Sequence, residues 1–306
     1  AEHASFHAEC SDARESAQRV KRSRVVSLVL EMQKGLNGLP VLAQKDLSEL
    51  SRFVQTRTAQ HVHGLGVIAE TIKTRLAVGV CTANRPWAVW LAGGAGSGKG
   101  YCMRHILQEC GIWDRRGVMF SYLDVDAQRK YLPAWIEDCN EPKLESTVQD
   151  TQADAGYLND VSMYHCASHR KNFIIDGTMR NPRHAMRCMQ NVVDQSSETA
   201  GAIQSAEAEQ PLRRFGTGNL SSHRIAVVFV DTAVEVCLGR ARKRAEVEHR
   251  PVQEDFVRTS NTDARESVAF LQRHSDMVEL CIHVENNGEP LSWKAGSVAE
   301  FREFLR

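Results

Sequence analysis

Apolar positions recur along the chain in two rhythms. Between Asp46 and Val80, Leu47, Leu50, Phe53 and Val54, and then Leu65, Ile68, Ile72 and Leu76, fall three or four apart, the spacing of one face of a helix. Gly64 and Gly66 are expected to divide that region. Asn84-Arg85-Pro86 is expected to end it, since proline lacks an amide donor and disfavours helix in the residue before it. Beyond Pro86, short apolar runs alternate with helical patterns. The runs Trp87–Leu91, Val118–Leu123, Asn172–Asp176, Ile225–Val230 and Val278–Val284 are predicted strands, and Gly100–Cys110, about Gln149–Arg170 and Val234–Glu248 are predicted helices. Asn287-Gly288 marks a turn before a short C-terminal helix. Strands separated by helices imply right-handed crossovers and a doubly wound, mainly parallel five-stranded α/β sheet.

The N-terminal 85 residues stand apart as a polar arm, Ala1 to about Arg24, followed by the helical region; residues 86–306 hold the sheet. Gln195–Ser222 breaks the alternation with Ser, Ala, Glu, Gln and Gly and few large apolar groups, so it reads as a polar insertion, the kind of segment that a partner must help to order. Protein partners are therefore expected through the N-terminal region and through 195–222. The 38 basic and 38 acidic residues balance, which gives the whole molecule no field for a nucleic acid or a membrane surface. Nucleic-acid contact is expected only by way of a larger complex. No stretch approaches the ~20 apolar residues that span a bilayer. The nine cysteines are odd in number, scattered and without a C-x-x-C pair, which points to free thiols in a reducing intracellular compartment. The start at Ala1 is consistent with removal of an organellar presequence, and hence with the mitochondrial matrix.

The chemistry begins at Gly93-Gly94-Ala95-Gly96-Ser97-Gly98-Lys99-Gly100, which follows an apolar strand and opens a helix. That context turns a glycine-rich string into a phosphate loop (P-loop). Glycines let the backbone wrap phosphate oxygens, the loop amides and the helix N-terminus favour the anion, and Lys99 neutralises β- and γ-phosphate charge. Gly94, Ala95, Gly96, Ser97, Gly98, Lys99, Gly100 and Tyr101 are the expected nucleotide-binding residues, with ATP or GTP and Mg²⁺ as cofactors. One position departs from the usual pattern: Gly100 stands where Ser or Thr ordinarily ligates Mg²⁺.

Three further blocks follow. Asp124-Val125-Asp126 puts two carboxylates at the carboxyl end of the second run, where open α/β sheets bind ligands. Asp126 fits either a base that accepts the proton of an acceptor hydroxyl or the N-cap of a helix beginning at Ala127. Asp176-Gly177-Thr178 ends the third run; Asp176 could hold Mg²⁺ through water and Thr178 could reach a substrate, though Asp-Gly also simply makes turns. The helix carrying Arg240, Arg242, Lys243 and Arg244, with Arg250 in the loop beyond it, fits a solvated basic face or a lid that stabilises transition-state charge. His165 and His169, four apart, have metal-ligand spacing but no third ligand in view, and His61 and His63 are too close to share a helix face.

In this order, G-G-A-G-S-G-K, L-D-V-D-A-Q-R-K-Y-L-P, N-F-I-I-D-G-T-M-R-N and V-F-V-D-T-A-V-E-V-C-L-G-R-A-R-K-R-A-E followed by H-R-P-V resemble the zeta-toxin family, over about Trp87 to Val257. The resemblance implies a P-loop kinase fold. It also implies phosphorylation of a small hydroxyl acceptor such as a nucleotide sugar, UDP-N-acetylglucosamine in known members, with ATP or GTP. By the same resemblance Lys99 looks like the phosphate lysine, Asp126 like the catalytic base, and Arg244 and Arg250 like the arginines that clamp the triphosphate. Thr178 and Asp160 are similar in position to substrate-contacting residues, Asp160 standing where the family carries a glutamate.

Three functions are therefore expected in turn. The first is a zeta-toxin-like phosphotransferase. The second, motivated by Gly100, is a catalytically weakened kinase fold serving as a structural or assembly subunit of a larger complex, mitochondrial if the presequence reading holds. The third is a nucleoside-monophosphate kinase.

Overall fold

The computed structural model describes residues 64–69, 72, 79–132, 135, 148, 151–209, 220–248 and 252–306. Their elements run β1 (Trp87–Ala92), α1 (Lys99–Glu109), α2 (Arg116–Met119), β2 (Ser121–Asp124), α3 (Val125–Arg129), α4 (Gln152–Ser168), β3 (Phe173–Asp176), α5 (Pro182–Glu209), β4 (Arg224–Asp231), α6 (Val234–Glu248), α7 (Glu254–His274), β5 (Val278–Glu285), β6 (Ser292–Ala295) and α8 (Val298–Phe304). The strands form one sheet of six in the order β2-β3-β1-β4-β5-β6, parallel except for β6. The sixth strand corrects the expected five. Ser292-Trp293-Lys294-Ala295 is a half-exposed edge, antiparallel to β5, and its mixed polarity carries no strand signal.

Every residue of β1 is buried. Ala88, Trp90 and Ala92 join the core that lies under α4, α5 and α7, whereas Trp87, Val89 and Leu91 join the core with α1 and α8 on the other face. Ile225, Val227 and Phe229 of β4 divide from Ala226, Val228 and Val230 in the same way. Strands buried on both faces lose polar alternation, which is why these elements appear in the sequence as continuous apolar runs.

Four boundaries differ from expectation. Val118 and Met119 belong to the short α2, and the strand starts only at Ser121. Gly66 breaks no helix: it lies inside the helical residues 64–69, and Ile68 and Ala69, with Ile72, pack with Leu132, Ala155 and Leu158, while the residues before Gly64 lie outside the described ones. The polar stretch from Gln195 is helical as far as Glu209, as the second half of α5. Proline at its first position suits a helix start, and Ala185, Cys188, Met189, Val192, Ser196 and Ala200 keep a buried stripe at helical spacing. Residues 210–219 of that stretch, and the arm from Ala1 to Arg24, lie outside the described residues. Finally, α7, which no apolar rhythm announced, buries Ser260, Asn261, Ala264 and Ser267 alongside Val257, Val268 and Leu271.

One guanidinium ties the base of the sheet together. Arg170, almost fully buried, donates to the carbonyls of Asn84, Ser196 and Ser221.

Candidate active site

The carboxyl edge of the sheet is acidic by construction: β2, β3, β4 and β5 end at Asp124, Asp176, Asp231 and Glu285. Into it the central strand β1 delivers Gly93–Gly98, and the loop is shaped by left-handed glycines. Gly96 and Gly98 have φ of 80° and 82°. A Cβ on Gly96 would stand 2.4 Å from the carbonyl of Cys237, and one on Gly94 would stand 2.1 Å from the Asn261 amide. Only glycine lets the loop come this close to its supports.

Those supports come from α6, α7 and the residues just beyond β4 and β5. The Ala95 amide donates to Ser260 Oγ at 3.0 Å, and Asn261 Nδ2 donates to the Ala95 carbonyl at 3.3 Å. The Ser97 carbonyl accepts from Thr232 Oγ1 at 3.0 Å, Asn286 Nδ2 at 2.8 Å and Arg240 at 3.3 Å. Arg265 of α7 grips Asp231 and the Thr232 carbonyl at the root of the same scaffold. Lys99 Nζ lies on the Gly93 and Gly94 carbonyls at 3.0 and 3.2 Å, inside the loop it is expected to complete. Tyr101 points out to solvent and donates to Glu289.

The carboxylates sort by role. Asp124 is the N-cap of α3, its side chain accepting from the Asp126 amide at 2.8 Å, so the helix starts at Val125 and Asp126 sits in its first turn. The capping alternative for Asp126 is thereby removed. Its carboxylate instead takes a bond from the buried Arg129 at 2.8 Å, and Arg244 of α6 reaches it at 3.7 Å. Arg129 is held in turn by Gln152 of α4. Asp176 accepts from Tyr122 at 2.8 Å, and burial, followed by the Asp176 charge, raises the Tyr122 hydroxyl far above the phenol range. A Cβ on Gly100 would lie 3.7 Å from Asp176 and 3.9 Å from the Tyr122 hydroxyl. The departure at Gly100 therefore leaves room for a side chain facing the carboxylate expected to serve the metal.

Thr178 is half-buried beside the loop, its carbonyl accepting from the Gly93 amide at 3.4 Å. Asp160 is not joined to these residues by any hydrogen bond or ion pair. Its neighbours are His184 and Cys188 of α5, and burial raises its carboxyl. Arg250 lies outside the described residues. The rings of His165 and His169 lie against one another with centroids 4.1 Å apart and planes tilted by 38°, and His169 is bonded to the His165 carbonyl.

The zeta toxin family model matches residues 70–200. Over those residues the chain is similar to zeta toxins, and its fold is of P-loop kinase type. Among solved structures, that of the PezAT chromosomal toxin–antitoxin system of Streptococcus pneumoniae aligns over 78% of this chain and 86% of that one, at 14% identity and a TM-score of 0.54, which shows a shared fold. A gluconokinase from Sinorhizobium meliloti aligns over 72% of this chain and 89% of its own at 14% identity, with a TM-score of only 0.34. None of the curated proteins compared with the chain matches it. No helix among the described residues of this zeta toxin relative is long and apolar enough to cross a membrane.

Proposed function

We propose that the chain is a zeta-toxin-like phosphotransferase that moves the γ-phosphoryl group of ATP or GTP to a hydroxyl of a small molecule such as a nucleotide sugar. The observation that carries this reading is a continuous line of charge along the sheet edge. Lys99 and Gly100 open α1 beside Asp176, Asp176 pairs in register with Asp124, and Asp124 caps the turn that presents Asp126 to Arg244. In phosphoryl transfer most of the catalysis is positioning and charge neutralisation. The loop amides and Lys99 hold the phosphates; Arg244, with Arg250, meets the charge that develops on the transferring group. Asp126, oriented by Arg129, accepts the acceptor's hydroxyl proton on a carboxylate oxygen as the new P–O bond forms, and Thr178 and Asp160 orient the acceptor. Asp176 would hold Mg²⁺ through water, and that ion, when bound, would supply charge neutralisation at the β- and γ-phosphates.

The test is nucleotide turnover with a panel of sugars and nucleotide sugars. Turnover should depend on an acceptor and should be abolished in Asp126→Ala while nucleotide still binds. Tight nucleotide binding with no turnover on any acceptor would instead favour the second reading, a kinase fold retained as a structural or assembly subunit. Gly100 speaks for that alternative. Because a side chain fits there, Gly100→Ser should fold normally and raise turnover of a weak enzyme, measurably at limiting Mg²⁺. Activity on a free nucleoside monophosphate would point to the third.

A further inference from the structure

Between α4 and α5, away from the phosphate loop, three side chains of different chemistry converge. Asp160 projects from α4. His184 and Cys188 sit four residues apart near the start of α5, on one face of the helix. One ligand atom from each lies within 4.8 Å of the other two, and His184 Nε2 is 3.5 Å from Cys188 Sγ. Zinc bonds of ~2.1 Å to nitrogen and ~2.3 Å to sulfur, at a tetrahedral angle, separate the two donor atoms by about 3.6 Å. The thiol–imidazole pair is already at coordination distance.

The third donor is set up in the same way. Asp160 is half-buried and makes no hydrogen bond or ion pair with any described residue. Burial raises its carboxyl, and burial together with the Asp160 charge raises the Cys188 thiol. Cys188 is buried and His184 exposed, which leaves an entry path on the histidine side.

We propose that Asp160, His184 and Cys188 form a site for a borderline-soft divalent transition metal, zinc by its donor set, with solvent as the fourth ligand. One nitrogen, one sulfur and one oxygen are the wrong donors for Mg²⁺ or Ca²⁺, which take oxygen, so this site is separate from the phosphate-bound cation. On binding, the S–H proton of Cys188 leaves to solvent as the sulfur–metal bond forms, and no electron changes hands. The ion would fasten α4 to α5 and engage the carboxylate assigned above to the acceptor. Zinc is then an antagonist of acceptor binding as well as a brace.

Cobalt(II) titrated into the reduced, nucleotide-free full chain reads the site directly. One equivalent should bind with a thiolate-to-cobalt charge-transfer band and tetrahedral d–d absorption, both displaced by zinc. Cys188→Ser should remove the charge-transfer band, whereas replacing the exposed thiol in Cys81→Ser should leave it. His184→Ala, at an exposed position, and the isosteric Asp160→Asn should each weaken zinc by more than the ~10–100-fold seen when only a supporting partner of a ligand is removed. A chain that takes up no cobalt, a band that survives Cys188→Ser, or wild-type affinity in His184→Ala overturns the proposal. Because the readout needs no nucleotide, metal uptake through these three residues supports the site even in a chain that turns nothing over, so the two readings fail separately.

Discussion

The two walls of the site are built on opposite plans. The phosphate loop is fixed from behind by largely buried, mostly neutral groups, with Asn261, Thr232 and Asn286 donating to its carbonyls and Ser260 accepting from its Ala95 amide, through bonds of about 3 Å. The facing wall is made of charges on flexible stems: Arg244 and Asp126 are both more than a third exposed and meet at 3.7 Å. Buried neutral bonds fix geometry, whereas exposed ion pairs hold little energy and rearrange readily. Such a site grips polyphosphate by shape and answers the changing charge of the reaction by adjustment.

That contrast can be broken in a graded way. On the charged wall, Asp126→Ala should cost ~10²–10⁴-fold in turnover with nucleotide affinity nearly unchanged, in steady-state kinetics beside a nucleotide titration. Away from both walls, His223 tests the scaffold under them. It is buried at the foot of β4, bonded to Lys171 and Ser196, and burial holds its imidazole down at about 4 against an ordinary 6.5. The folded chain keeps it neutral while the unfolded chain takes up a proton, so its contribution is full above the unfolded value and is lost as pH falls toward the folded one. The loss is on the order of 3 kcal/mol. Denaturant unfolding across that range should show the slope, and His223→Gln should flatten it.

On the neutral wall, Gly94→Ala would drive a methyl into Asn261 and should cost ~1–3 kcal/mol of stability, the usual range for overpacking. Its signature is the reverse of that of Asp126→Ala: weakened nucleotide binding, seen by titration, before any effect on the chemical step. The smallest effect belongs to Arg242, whose pair with Glu254 is fully at the surface. Arg242→Ala should leave the midpoint of thermal unfolding unchanged.

What the sequence disclosed follows the same division. The loop from Gly93 to Lys99 is legible because its chemistry is backbone chemistry, and only glycine at particular positions permits it. The strands are legible because burial on both faces demands unbroken apolar runs. Helix α7 escaped notice because the stripe it buries is Ser, Asn and Ala as much as Val and Leu, chosen to hydrogen-bond the loop rather than to fill oil-like space. The helix cap falls to Asp124 rather than to Asp126, a distinction of two residues that depends on where the helix starts. Asp160, His184 and Cys188 could not be joined by spacing, since the first is on one helix and the other two are on the next. His165 and His169 had the spacing, and in the fold their rings pack against each other at a tilt.

Lys99 rests on two carbonyls of the loop it serves. Its ammonium is thus held by dipoles of the loop rather than on a free stem, so the positive charge expected to meet a phosphate chain is already set inside the turn that would wrap it.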